Sequence, residues 1–218
     1  MNGTDGRSTA GPAPPKTKSY RWFAALYDAI GRFEEKGFRG EMRRSLLSGV
    51  SGDVLEIGAG TGANFEHYPS DARVTALEPD RFMAARAEKK LAALRLTNIS
   101  LQRGPAESLP FPDASFDTIV STLVLCTVSD VNRCLQEMRR VLRPSGKVLF
   151  IEHVRARGAI GVLQDVIRPV WGWFGAGCHP NRRTADSLSA RNWVVVIDES
   201  RHMLRFVPLI RGHATPRA

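Results

Sequence analysis

At 218 residues and 43% hydrophobic content, the chain is long enough for one domain with a full core and too short for a second complete one. Its net charge of +9 sits in the flanks: residues 1–52 carry +4 and 153–218 carry +6, whereas 53–152 carry −1. With no arginine-rich block and no basic stretch interleaved with aromatics, this pattern favours a solvated surface over a nucleic-acid interface, and no run approaches the ~20 apolar residues of a membrane span.

The first nineteen residues, MNGTDGRSTAGPAPPKTKS, have no apolar h-region and read as a disordered tail rather than a secretory signal. From residue 20 onward the sequence predicts a single domain. YRWFAALYDAIGRF (20–33) places Trp22, Leu26, Ala29, Ile30 and Phe33 at helical intervals, and a second, basic helix is expected over Glu41–Leu47. Asp53–Ile57 is a short apolar run ending in the glycine turn GAGTG (58–62), followed by a helix expected over 63–67 and closed by Pro69. RVTAL (73–77) is a second strand, and Asp80 is placed to cap a helix carrying Phe82, Met83, Ala87, Leu91 and Leu94.

Residues 98–102 form a third strand, GPAESLPFPDAS (104–115) a loop with three prolines, and FDTIVS (116–121) a fourth strand. Val131, Cys134, Leu135, Met138, Val141 and Leu142 mark an amphipathic helix that RPSG (143–146) ends before a fifth strand, KVLFI (147–151). After residue 153 the rhythm changes. Ile160, Leu163, Ile167, Val170, Trp171 and Phe174 share one helical face, with a kink expected at Pro169. Two more strands are expected, over 192–197 and within 203–214, the second bulged at Pro208.

Alternating strands and helices predict an α/β, doubly wound, mostly parallel sheet of about seven strands. Ligands bind such sheets outside the carboxyl ends of the strands, a rim that gathers residues 58–62, Glu78, the 104–107 loop, residues 121–123 and residues 152–153.

The stretch LEIGAGTGANF (55–65) admits two parsings. As G-x-G-x-x-A, with Glu78 twenty residues past Gly58, it fits a dinucleotide. As E-x-G-x-G-x-G it puts a carboxylate at the end of the first strand, which is unfavourable beside a pyrophosphate and suits a ligand carrying positive charge. No Y-x-x-x-K pair follows Tyr20, Tyr27 or Tyr68 to serve hydride transfer. These points favour the second parsing and a cationic nucleoside such as S-adenosylmethionine. Three cysteines without short spacing (Cys126, Cys134 and Cys178) and five scattered histidines fit reduced thiols in a cytoplasmic protein and give no metal motif.

With those residues in view, the chain resembles the class I S-adenosylmethionine-dependent methyltransferases, in the group sharing a domain with the ubiquinone/menaquinone C-methyltransferases. The resemblance rests on VLEIGAGTG (54–62), ALEPD (76–80), ESLPFPDASFD (107–117) and RVLRPSGKVLFIEHV (140–154), and runs over about 20–214. TLVLCTV (122–128) with GCHPNRRT (177–184) resembles more narrowly a bacterial subgroup related to the alkyl-thiol methyltransferases. The resemblance implies a Rossmann-like sheet whose last strand is antiparallel, with an N-terminal helical cap and a lid-like insertion over 155–190. It implies S-adenosylmethionine as methyl donor and a small-molecule acceptor; the scattered cysteines and histidines predict no metal, and the lack of a binding motif disfavours nucleic acid.

The implied donor site comprises Glu56, Gly58, Ala59, Gly60, Gly62, Glu78, Pro79, Met83, Ala106, Glu107, Thr122 and Leu123. Glu56 would face the α-ammonium and Glu78 the ribose hydroxyls. The three glycines would let the backbone run beneath the methionine part. Met83 would pack on adenine, the Ala106 N–H would meet its edge, and Thr122 and Leu123 would border the sulfonium. The related pattern has an acid where this chain has Pro105, so Glu107 either substitutes for it or that bond is lost. His153, Cys178 and His179 are the catalytic candidates, each with a structural reading beside it. Tyr27, Trp171, Trp173 and Phe174 either line a lid or simply pack. A thiol acceptor is favoured; carbon or oxygen methylation of a quinone or phenol, and a non-catalytic binding protein, stay open. The related thiol enzymes end in P-H-I-x-G, whereas this chain has Leu209 in place of that histidine.

Overall fold

The computed structural model describes residues 37–174, 177–203 and 207–217. The tail over 1–19, the helix expected over 20–33 and Tyr27 lie outside the described residues. The first described helix, α1 (Phe38–Leu47), begins three residues earlier than its sequence signal. Five strands follow as anticipated: β1 (Asp53–Ile57), β2 (Arg73–Leu77), β3 (Ile99–Gln102), β4 (Phe116–Thr122) and β5 (Leu142–His153). The helices between them are α2 (Arg81–Leu94) and α3 (Val131–Val141). Then come α4 (Gly158–Phe174), α5 (Thr184–Ser189), β6 (Trp193–Met203) and β7 (Val207–Pro216).

The seven strands form one sheet in the order β3-β2-β1-β4-β5-β7-β6. The pairs from β3 to β5 are parallel, and β7 runs antiparallel to both β5 and β6. The order reverses between β1 and β4, so the glycine turn leaves β1 at the topological switch point, where the crevice of a doubly wound sheet opens. Side chains alternate along each strand. Val54, Val74, Val120, Leu149, Ile151 and Leu209 pack with Met42, Leu46 and Leu47 of α1 on one face. Leu55, Ile119, Val148, Phe150 and Ile210 pack with Leu135, Met138 and Leu188 on the other. Cys134 is fully buried in that second core, with its thiol 3.7 Å from the Met138 sulfur. Among the described residues, no helix is long and apolar enough to cross a membrane.

Local chemistry explains the boundaries. Asp80 caps α2 by accepting from the N–H groups of Phe82 and Met83, and Asp130 caps α3 through Arg133 N–H. Arg140 fastens α3 to the proline-rich loop: its guanidinium donates to the Leu109 and Phe111 carbonyls and pairs with Asp113 and Glu137. That fan of bonds joins the ESLPFPDASFD and RVLRPSG stretches.

Four expectations are corrected. The helix expected over 63–67 is a single 3₁₀ turn, Phe65–His67, too short to close an α-helical ladder before Pro69. β5 starts at Leu142 rather than Lys147, because the chain is extended through RPSG and regains its β4 register only after a shift between Phe116 and Thr118. The irregularity at the sheet edge falls in β6, between Ile197 and Glu199, and not at Pro208, which pairs with His202. The 160–174 helix turns much of its apolar side outward: Ile160, Val162, Leu163, Val166 and Val170 are exposed, with Pro169 inside the helix as expected.

Candidate functional site

The carboxyl ends of β1, β2, β4 and β5 carry the chemistry. Glu56, on β1, shares the α1 face of the sheet and is 1% exposed. Its carboxylate accepts from Asn64 Nδ2 at 2.8 Å and Tyr68 Oη at 2.9 Å. Asn64 Nδ2 also donates to Thr122 Oγ1 at 3.0 Å, and Arg43 of α1 donates to Asn64 Oδ1 at 2.6 Å and Thr122 Oγ1 at 3.2 Å. Burial outweighs these bonds and the nearby Arg43 charge and raises the Glu56 pKa to about 7. A buried acid at that threshold is set to respond to a cation.

Glu78 directly follows β2 and is buried as well. Its Oε2 accepts from Gly60 N–H and its Oε1 from Asp80 N–H, both at 2.8 Å. Each oxygen keeps a second lone pair, so the carboxylate retains acceptors for a vicinal diol. Burial raises its pKa to about 7 as well, against the two backbone donors that hold it down.

The glycine turn divides its roles differently from the expectation. All three glycines have positive φ, at 62°, 60° and 82°. A Cβ at Gly58 would lie 2.5 Å from Val124 Cγ2, and one at Gly62 would lie 2.5 Å from Phe65. Those two glycines are therefore required by the protein's own packing. Only at Gly60 is there nothing within 4 Å of a Cβ position, so Gly60 alone presents open space to a ligand. Ala59 is buried, with its N–H bonded to the Leu77 carbonyl.

Other predicted donor-site residues fall along the same rim. Pro79 turns its carbonyl to Arg103, Met83 lies in the first turn of α2, and Ala106, within the proline-rich loop, is buried in the second core. Glu107 is aimed elsewhere: its Oε1 accepts from the N–H groups of Ser129 and Asp130 at the head of α3. Leu123 adopts φ +61°, a left-handed backbone uncommon for a non-glycine residue and held by its N–H bond to Ile151 O.

Sequence reasoning placed Glu152 on the rim without a role and missed the bonds that hold this geometry. Glu152 of β5 is fully buried and accepts from Ser121 Oγ and from the N–H groups of Val124, Leu125 and Cys126. Arg182 closes the other end of that turn by donating to the Leu125 and Val128 carbonyls, and His179 N–H donates to the Cys126 carbonyl. The TLVLCTV and GCHPNRRT segments are thus one unit.

This unit gathers the catalytic candidates. Cys178 Sγ lies 3.6 Å from Cys126 Sγ and 3.7 Å from His153 Nδ1, with all three residues buried. His153 Nε2 has no partner among the described residues. The shared hydrogen with Cys126, then contacts from His153 and the Trp171 indole, lower the Cys178 pKa to about 5, while Cys126 is pushed up. His179 stands apart from this trio. Its Nδ1 accepts from Arg168 Nε at 2.9 Å, and burial beside two arginines lowers its pKa. Trp171 is half-buried over the trio, and the side chains of Trp173 and Phe174 lie outside the described residues.

Comparison with known proteins agrees with this geometry. A family model described as a methyltransferase domain matches residues 55–150. Thiol S-methyltransferase TMT1B of Homo sapiens is 42% identical over 150 residues, covering 65% of this chain and 61% of that protein. The chain therefore spans less than two thirds of that relative's length. Thiol S-methyltransferase TMT1A of Homo sapiens is 37% identical over 181 residues, covering 78% of this chain and 73% of that protein. The solved YcgJ protein of Bacillus subtilis shares the fold, with a TM-score of 0.70 at 18% identity over 82% of this chain and 97% of that one. By the extent of its match to these relatives, the chain belongs to the class I S-adenosylmethionine-dependent methyltransferases.

Proposed function

We propose that this protein transfers a methyl group from S-adenosylmethionine to the sulfur of a small, apolar thiol. The observation that carries the donor half is the pair of buried carboxylates, Glu56 and Glu78, ending adjacent strands on either side of Gly60, the one turn glycine with open space beside it. The residues fit the donor: Glu56 faces its α-ammonium, Glu78 its ribose hydroxyls, and Gly60 leaves room for the chain between them. Met83 packs on the adenine, and the Ala106 N–H meets the adenine edge. When bound, the donor supplies a methyl carbon on a sulfonium, open to in-line attack.

The protein's own task is alignment and exclusion of water. Asn64 and Arg43 fix the Thr122 hydroxyl beside the strained Leu123, which sets the floor under the reacting sulfur. Glu152 and Arg182 lock the 124–128 turn, and Trp171 covers the acceptor side. A thiol acceptor, with a pKa near ~8.5, needs little help to reach its thiolate. Sulfur is favoured by similarity to the human thiol S-methyltransferases and by His153. In the β5–β7 ladder His153 lies directly opposite Leu209, the position where the related thiol enzymes carry a histidine. The neighbouring strand brings an imidazole to the same place.

The test is methyl transfer from isotopically labelled S-adenosylmethionine to ethanethiol, a phenol and a hydroquinone. The expected result is labelled ethyl methyl sulfide and S-adenosylhomocysteine in equal amounts. Labelled product from the phenol or hydroquinone alone would move the reading to oxygen or carbon. Binding without product from any acceptor would leave a donor-binding protein.

A further inference from the structure

We propose that Cys126, His153 and Cys178 form a zinc site whose open fourth position takes the acceptor sulfur. The three side chains come from three elements: the turn after β4, the end of β5 and the segment after α4. No local spacing in the sequence announces them, since Cys126 and Cys178 are 52 residues apart and His153 and Cys178 are 25 apart. Their ligand atoms all lie within 4.8 Å of one another, and every one of the residues is buried.

Two of the three separations, both from Cys178, are those of a tetrahedral metal site. Tetrahedral zinc, with Zn–S near ~2.3 Å and Zn–N near ~2.1 Å, sets its sulfurs about 3.8 Å apart and sulfur and nitrogen about 3.6 Å apart. In this structure they are 3.6 Å and 3.7 Å. Two thiolates and an imidazole are soft and intermediate donors, the set that selects zinc over magnesium or calcium. A group of three protein ligands leaves one position for a further ligand, as in catalytic rather than closed structural sites.

The surroundings support a built site. Glu152, adjacent to His153, holds Cys126 N–H at 3.2 Å, and His179 N–H holds the Cys126 carbonyl, so the Cys126 backbone is fixed from two sides. Gln164 of α4, fully buried, accepts from Ala156 N–H and donates to the Pro180 carbonyl, which anchors the Cys178 segment over the rim. His153 Nε2 makes no bond to the described residues, so no donor to it commits the ring to the Nδ1–H tautomer that would block ligation at Nδ1. The trio sits at the ends of β4 and β5, and Val124 two residues before Cys126 touches Gly58. The donor turn is therefore about 10 Å away, two strand spacings across the sheet.

The metal site stands on its own geometry; the identity of its fourth ligand rests on the thiol reading above. Zinc holds both sulfurs as thiolates, and any proton the pair still carries passes to solvent. An incoming R–SH enters the fourth position and gives its proton to solvent. Its sulfur lone pair then forms the new carbon–sulfur bond while the methyl–sulfonium bond breaks and its electron pair leaves with S-adenosylhomocysteine. The product thioether is neutral, a weaker ligand, and water displaces it.

The experiment uses the purified full-length protein, reduced and stripped of metal by a chelator, then titrated with Co²⁺ and Zn²⁺. One equivalent of Co²⁺ should bind with a thiolate-to-cobalt charge-transfer band and the visible bands of a tetrahedral site, and Zn²⁺ should bleach both. Cys126→Ser, Cys178→Ser and His153→Gln should each lower the affinity more than about tenfold. In the wild-type protein, Zn²⁺ should shield two thiols from a thiol-modifying reagent, a readout that survives if a variant fails to fold. Absence of the thiolate band, unprotected thiols, or recovery of a Cys126–Cys178 disulfide in place of metal binding would overturn the site. Ethanethiol should shift the cobalt bands, and Zn²⁺ should raise kcat/KM for it at least about tenfold over stripped protein. Cobalt bound as described but indifferent to ethanethiol, with no thiol methylated, would leave the metal site standing and fail the thiol reading. Undiminished thiol methylation by stripped protein would overturn the zinc proposal and leave that reading intact.

Discussion

Glu56 is where the charge of the donor and the low polarity of the core meet. Asn64, Tyr68 and Arg43 surround its carboxyl, with Glu78 the nearest other acid, and burial still pushes its pKa to about 7. A ligand ammonium placed against it favours the ionised form. Below that pKa, binding must therefore release a proton, and affinity for S-adenosylmethionine should rise about tenfold per pH unit from pH 5 to 6.5 before levelling above 7. Calorimetric titration at pH 6 in two buffers of different ionisation enthalpy reads the proton directly. An affinity independent of pH, with no proton released, would remove Glu56 from the donor site.

At the scale of the element, the turn after β1 separates two kinds of glycine. Gly60→Ala places a methyl in open space at φ 60°, so stability should fall by only about 1–2 kcal/mol while donor affinity falls more than about tenfold. Gly58→Ala adds a collision with Val124 and should lower stability by roughly 2–4 kcal/mol, read as an earlier denaturant midpoint. Equal effects of both substitutions on stability would contradict this division. The strands around the turn were legible in the sequence because period-two apolar runs, glycine turns and the Asp80 cap are all local signals. The first part of β5 and the Phe65–His67 turn were less legible, since register with β4 and the length left before Pro69 decided them. Glu56, Glu78 and the glycines were found as a motif. Arg43, Tyr68, Glu152 and Arg182 were not, because their bonds to the site depend on how distant segments pack: Arg43 meets Thr122 across 79 residues and Arg182 meets Leu125 across 57. Cys126, Cys178 and His153 were each noticed singly, and only the fold brings them together.

Across the whole molecule, the donor site is held at a cost in stability. The Glu56 carboxyl titrates near 7 when folded and near ~4.3 when unfolded. The folded chain binds the extra proton between those values, so this residue's contribution is full below about pH 4.3 and is lost as pH rises through 7. Cys178, whose pKa is lowered, changes in the opposite sense, so the contribution is isolated by comparing the wild type with Glu56→Gln. The two should have similar urea midpoints at pH 5, and the variant should be more stable at pH 8, by roughly 3 kcal/mol. A variant less stable than the wild type at pH 8 would contradict the account. The most direct measurement is calorimetric titration with S-adenosylmethionine, S-adenosylhomocysteine and NAD, beside Glu78→Ala. The account predicts saturable binding of both sulfur nucleosides, weakened about 10- to 150-fold by loss of bonds to a charged acceptor, and none of NAD. Binding of NAD alone, or donor affinity indifferent to Glu78→Ala, would contradict it.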